Sequence, residues 1–473
     1  MRQGRRFVAL LVAVLMAAVT APAFAEVQNV KVGGDITVRG IWRQDFDLNQ
    51  DSNFTTTGTG TSDSEKFIFS TVGINLTADL TDNVSADIRL VNQRDWGSNA
   101  DLAGGDSGLG VDISRAYVTM REILYSPLTI RVGRQPLWFG KGFIVGSRLL
   151  AGDAGTDGNF SATEFTDQTG FDAVRATLDY NPVTVDLVYS KITEAGGAGG
   201  AGTAASSDDD INLMGANLGF KCADGKGEAE AYYWNQHDQS VRGSSTTVAK
   251  GDLRPADVNT IGLRGSIEPV QHTSLWGEAA YQFGTVGGTS DSSQQAFAFD
   301  LGGQVSLADA TWTPTLGAEW IFYSGAKKDA LAGWNPMYRG KFDTLIREFL
   351  GGIYATDYPN DNASFTNEHQ IALFGGIKPS DSVRLDTRFT WFATDEGVRV
   401  GTLAGGKTPH YLGAEWDTKA LYDYTEDVQF GLIYGVYWPG AVYRDQAATP
   451  ASVTNLGGRS TAQELVSTVS VKF

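Results

Sequence analysis

The sequence predicts an all-β fold: a transmembrane, antiparallel, up-and-down β-barrel of about eighteen strands, with sixteen as the alternative count. Three observations lead there. Segments with a two-residue apolar/polar period run from near Asn29 to Phe473. Short and long connections alternate strictly between them. Each periodic segment is long enough to cross about 25 Å of hydrocarbon as a tilted strand. The tight turns include Thr81-Asp82-Asn83, Asn181-Pro182, Ala223-Asp224-Gly225-Lys226 and Glu268-Pro269-Val270-Gln271. The long connections, such as 47–65, 136–170 and 325–365, are polar. Short turns on one side of a membrane and long loops on the other are the layout of an outer-membrane barrel.

The N-terminus reads as a secretory signal peptide over residues 1–25. Arg2, Arg5 and Arg6 precede an apolar run, and Ala23-Phe24-Ala25 supplies a small-x-small cleavage site before Glu26. The remainder, 26–473, is expected to be one barrel domain, with no apolar run near the twenty residues of a spanning helix. The expected hairpins pair 29–45 with 66–80, 84–95 with 111–122, 127–135 with 171–181 and 183–192 with 211–221. They continue with 226–238 and 257–268, 271–284 and 295–308, 311–324 and 366–378, 382–395 and 410–421, and 426–438 and 461–473. The last strand ends on an aromatic residue, Phe473, as do barrels handed to the outer-membrane assembly machinery.

Alternation separates two faces. Val84, Ala86, Ile88 and Leu90 share one side of a strand, and Ser85, Asp87 and Arg89 the other. Charges on one face of a spanning strand belong in a wet lumen, so the apolar face meets lipid and lipopolysaccharide. The strand-end aromatics Trp42, Trp138, Tyr232, Tyr233, Trp234, Trp320, Tyr323, Tyr411, Trp416, Tyr437 and Trp438 are expected in interface girdles where they near the membrane surface. Trp234, Trp334 and Tyr338 are the candidates for stacking a sugar. A barrel of this strand number is roughly 35 Å across, too wide for side chains alone to fill. Loops 136–170 and 325–365 are long enough to fold in and set its narrowest point.

The same parity places Arg39, Arg43, Arg89, Arg115, Arg121, Arg131 and Arg175 on the early lumen wall, with Asp87 as its main acid. Later strands supply Glu228, Glu230, Glu278, Glu319, Glu415 and Asp417, with Arg264, Arg384, Arg388, Asp386 and Lys419 among them. An arginine ladder is suited to anions because guanidinium stays charged and grips carboxylate with two donors. Cross-strand ion pairing that stiffens the wall is the competing use of the same charges.

The chain is acidic, with a formal net charge of −18; loss of the three signal arginines leaves 34 basic against 55 acidic residues, near −21. This argues against a nucleic-acid partner. The single cysteine, Cys222, allows no internal disulfide, and no CxxCH motif exists for haem attachment. The four histidines fall on different hairpins, and neither GxSxG nor HExxH occurs, so no enzyme is expected. Asp47, Asn49 and Asp51 have the alternating oxygen spacing of a calcium loop. The glycine and distal glutamate of such a loop are missing, and a solvated loop is the competing reading.

Three stretches carry a family resemblance: LTIRVGRQPLWFG (128–140), GAEWIFYSG (317–325), and GAEWDTK (413–419) followed by GLIYGVYWPG (431–440). In order and spacing they resemble the alginate export family of outer-membrane porins. The resemblance implies a monomeric eighteen-stranded barrel with an arginine-lined lumen for an acidic polysaccharide. It matches Arg131 and Arg134 to the first motif, and Glu319, Glu415 and Asp417 to the others. A long periplasmic plug loop of such exporters has no counterpart here, since Tyr424-Thr425-Glu426-Asp427 is a tight turn.

The expected function is a channel passing hydrophilic solutes, anionic or saccharide, by diffusion through a charged lumen, without cofactors. The alternative is a barrel that sheathes a periplasmic or surface partner, such as an electron-conduit cytochrome or an export machine.

Overall fold

The computed structural model describes residues 29–46, 48, 64–97, 111–123, 127–147, 165–166, 169–194, 210–222, 225–239, 255–287, 293–326, 333–340, 343–348, 366–397, 409–444 and 459–473. The expected signal peptide and the calcium-type residues Asp47, Asn49 and Asp51 lie outside them.

Eighteen antiparallel strands form a single closed sheet. They are β1 (Asn29–Gln44), β2 (Ser64–Thr81), β3 (Val84–Asp95), β4 (Asp112–Arg121), β5 (Leu128–Gln135) and β6 (Phe171–Asp179). Next come β7 (Val183–Thr193), β8 (Ile211–Lys221), β9 (Gly227–Asp238), β10 (Ala256–Val270), β11 (Thr273–Thr285) and β12 (Ser293–Ser306). The last are β13 (Thr315–Tyr323), β14 (Glu368–Ser380), β15 (Val383–Ala393), β16 (Tyr411–Asp423), β17 (Val428–Pro439) and β18 (Ala462–Lys472). Each strand pairs with its sequence neighbours, and β1 pairs with β18 from Asp35↔Lys472 to Gln44↔Gln463, which closes the ring. The count is therefore eighteen rather than sixteen, with the hairpins as expected. Most strand ends move by one or two residues, and the start of β13 by four. β10 runs through Pro269 to Val270, and β13 starts at Thr315 instead of 311. The latter follows from a turn in which Leu307 N donates to Pro314 O, with Trp312 and Thr313 at positive φ.

The apolar parity faces outward. Leu263, Leu301, Leu373 and Leu432 are exposed on the outer surface, as a lipid-facing band requires. Aromatics ring the turn end (Tyr180, Trp312, Tyr422, Tyr424) and the loop end (Tyr233, Trp320, Trp391, Trp438). Tyr232, Trp234, Tyr323 and Tyr437 instead point inward and are buried.

Alternation breaks at one place that matters for the lumen. Between Arg89↔Arg115 and Leu90↔Ile113 a bulge inserts Ser114. Ile113 consequently faces out while Arg115, two residues on, faces in.

The main hydrophobic core lies inside the barrel. Leu137, Phe139, Phe143, Ile144 and Val145, just after β5, pack with Trp334, Met337 and Tyr338, after β13, against the inner wall. That wall contributes Phe171, Val188, Trp234, Ala280, Ala298 and Tyr323. A second cluster joins Phe46, Leu48 and Ile346 to Phe392, Leu412 and Tyr437. Burying such side chains contributes roughly 1.5–3 kcal/mol each, enough to hold otherwise loose loops.

Candidate functional site

The two long loops meet inside the barrel, as their length allows. Val145 and Tyr338 form an isolated parallel bridge. Gly146 N and Ser147 N donate to Tyr338 O at 2.7 and 2.9 Å, Tyr338 N to Ile144 O at 3.1 Å, and Gly340 N to Gly142 O at 2.7 Å. The joined loops are fixed to the wall by polar anchors. Lys141 donates to Asp300 (2.9 Å) on β12 and to Glu319 on β13, with its ammonium 4.4 Å from the Trp276 ring centroid. Gln282 and Gln294 donate to the carbonyls of Asn335 (2.7 Å) and Gly333 (2.8 Å).

The second loop is clamped again further on. Glu415 on β16 accepts the backbone N–H groups of Leu345, Ile346 and Arg347, each at 2.7 Å. A buried carboxylate that collects three amides is fully engaged in holding backbone. Arg347 is buried and bonds Glu368 on β14, and Arg339 bonds Glu348 at 3.1 Å.

The lumen-facing charges are mostly paired. Arg43 bonds Glu464 (2.9 Å), Arg89 grips Asp35 (2.6 and 3.0 Å), Arg115 bonds Asp87 (3.1 Å) and Arg175 bonds Asp186 (2.7 Å). Arg264 bridges Glu230 (2.6 Å) and Glu228 (2.7 Å), Arg388 bonds Glu319 (2.5 Å) and Arg384 bonds Asp386 (2.8 Å). A continuous ladder of unopposed arginines is therefore not what the barrel contains. Cross-strand pairing accounts for most of the basic wall. Arg39 bonds Thr71 at 3.2 Å and lies 5.3 Å from the Phe165 ring centroid. Asp417 faces inward beside Leu345 and Gly435.

Two lumenal arginines differ. Arg131 sits 4.7 Å from the Tyr117 ring centroid and bonds Thr119 (3.4 Å), while Arg121 bonds Ser85 (3.4 Å). Among the described residues neither has a carboxylate within ion-pair distance.

Arg134 does not line the lumen. It is in register with Ala116 and Asp172, both on the face shared by the exposed Val118 and Val174. There it binds Asp172 through two donors at 2.9 and 2.8 Å. The physical reason is the strand period: Arg131 and Arg134 are three residues apart and fall on opposite faces. Gln135 takes the inward position and is fully buried. The sugar-stacking candidates fare no better. Trp234, Trp334 and Tyr338 are all buried in the loop core. Trp138, expected in a girdle, instead lies on the inward loop pair.

Parity could not find Lys141, Asp300, Arg339, Arg347 or Glu368 as anchors. A signal did exist for the first loop: the apolar residues Leu137, Phe139, Phe143, Ile144 and Val145 suit a packed segment better than a solvated one.

Comparison with known proteins places these features in a lineage. The sequence profile described as alginate export matches residues 31–457. No curated protein matches the chain in sequence. Among solved structures, OpdQ of Pseudomonas aeruginosa is similar in fold, with a TM-score of 0.51 at 11% identity over 95% of this chain and 99% of that one. OpdK of P. aeruginosa, solved with vanillate, gives 0.50 at 11% identity over 94% and 98%. A BenF-like porin from Pseudomonas fluorescens Pf-5 gives 0.50 at 12% identity over 94% and 99%. The profile runs from within β1 to beyond β17, so the chain belongs to the alginate export family, and it forms a channel of the bacterial outer membrane.

Proposed function

We propose that this channel passes hydrophilic solutes by diffusion and favours anions, with acidic saccharides as the solute class. The observation that carries this reading is the pair Arg121 and Arg131. They are lumenal guanidiniums with hydroxyl and aromatic neighbours but no carboxylate partner among the described residues. Paired arginines present little net field. Arg121 and Arg131 keep theirs, and the low-dielectric barrel wall focuses it into the lumen. Membership in the alginate export family supports an acidic saccharide. The lumenal side chains are committed to ion pairs and loop anchoring, which supports a transport role over catalysis. A closed eighteen-stranded sheet encloses its own lumen, which supports a single chain as the working unit.

Single-channel recording in planar bilayers under a salt gradient tests the proposal. The parent reverses on the anion side. Arg121→Glu with Arg131→Glu moves reversal toward cations, and oligouronate block weakens by about tenfold, the size of one charge-assisted contact. An unmoved reversal potential would sink the reading.

A further inference from the structure

Among the described residues of the inward loops, Trp138 is the large aromatic that stays open. Leu137 and Phe139 on either side of it are buried in the loop core, whereas Trp138 is 53% exposed. Its indole lies flat on two glycines. A Cβ at Gly142 would stand 2.7 Å from Trp138 Cζ2, and one at Gly340 2.5 Å from Cη2. Only glycine permits an approach this close, so one ring face is backed by bare backbone. Trp138 Nε1 donates to Gly140 O at 3.0 Å, which fixes the ring's orientation. Gly142 and Gly340 belong to the segments zipped together inside the barrel, and Lys141 between them reaches the wall at Asp300. The ring, backed by these glycines, stays half exposed on loops that are packed within the barrel. Trp276, also lumenal, differs: one face rests on Gly302, and Lys141 covers the ring at 4.4 Å.

Beside this platform stand polar groups in a paired arrangement. Gly140 abuts Arg264, where a Cβ would lie 2.5 Å from Arg264 Cδ, and Arg264 is held between Glu228 and Glu230. Donor and acceptor side by side, next to a flat apolar ring, match a pyranose: its C–H face stacks while its hydroxyls bond at the edge. We infer that Trp138 is a saccharide-stacking site in the lumen, taking one pyranose ring against its open face with hydroxyls turned toward Arg264, Glu228 and Glu230. The site recognises the ring and its hydroxyls, not charge, so neutral and acidic sugars both use it. It deepens the transport reading by naming where a sugar solute pauses.

The test uses two hexasaccharides, a neutral glucan and an oligouronate, against the full chain and its Trp138→Ala and Trp138→Phe variants. Calorimetric binding to detergent-purified protein and residence time of single-channel block are both read. Trp138→Ala weakens both sugars alike, by about tenfold, and Trp138→Phe recovers part of the loss. Arg131→Glu weakens the uronate alone. Equal binding of either sugar by the parent and Trp138→Ala overturns the site, as does a parent that binds neither. A protein that binds both sugars through Trp138 yet conducts nothing retains the site and refutes the transport reading instead.

Discussion

Arg43 Nε lies 2.9 Å from Glu464 Oε1, and both side chains are almost fully buried. The two residues face each other across the β1–β18 seam, with the Arg43 guanidinium between the Phe46 and Phe67 rings at 5.0 and 5.1 Å. The pair therefore bonds the first strand to the last in a desolvated setting. Removing Glu464 strips the buried guanidinium of its close counterion and leaves it the exposed Glu65 at 3.9 Å; loss of one partner of a buried pair costs about 3–5 kcal/mol. Glu464→Ala is expected to lower the guanidinium unfolding midpoint clearly. Arg43→Met with Glu464→Leu is expected to recover most of the loss, since an apolar pair of similar volume avoids the desolvation penalty. A double variant as unstable as either single one would contradict this.

Lys141 is the anchor of the first loop. Its loss leaves the buried Asp300 without its ammonium partner, whereas Glu319 keeps Arg388. Lys141→Ala is expected to raise open-channel noise and mean conductance, with little change in the barrel's unfolding midpoint. Quiet traces of parental amplitude would show that the loop core alone holds the segment.

Glu415 is expected to govern access to the backbone around Arg347. Without it, three N–H groups lose their acceptor, at a cost of at least about 3 kcal/mol. Glu415→Ala is expected to make the chain susceptible to trypsin at Arg347 in detergent, where the parent resists. Mass spectrometry of the limited digest reads the result, and an intact segment in both proteins would rule the clamp out.

Arg134 supplies the control for selectivity. It sits on the outer face bound to Asp172, so Arg134→Glu is expected to leave the reversal potential unchanged, while Arg131→Glu shifts it. A shift of equal size from both would mean that charge anywhere near β5 is felt in the lumen.

Strand number, pairing and closure were legible because a two-residue period and a turn vocabulary are local properties. The inward placement of Arg39, Arg43, Arg89, Arg121, Arg131 and Arg175 followed from the same period. Arg115 kept its face only because the bulge at Ser114 lies before it on β4. Arg134 came from motif resemblance alone, and the period that served its neighbours places it outside. What parity could not supply was partnership. Asp35 bonds Arg89, and Asp186 bonds Arg175, so both quench arginines that look free in sequence. The loop anchors were illegible for another reason: Lys141 and Asp300 lie far apart in the chain, and only the folded loop brings them together. Trp138 could be seen as an aromatic near a strand end, but its neighbours Gly142 and Gly340 become a flat support only after the loops join.

The bridge between Val145 and Tyr338 has a thermodynamic consequence. Segments that share hydrogen bonds and one apolar cluster do not open independently, because the free energy of releasing either includes the contacts of the other. The coupling is reciprocal. A substitution in the second loop is expected to shift the exposure of Trp138 in the first, and a saccharide held on Trp138 is expected to protect the amide of Tyr338 from exchange. The aperture of the channel is thus a joint property of two pieces of sequence nearly two hundred residues apart, and natural variation in one constrains what the other can accept.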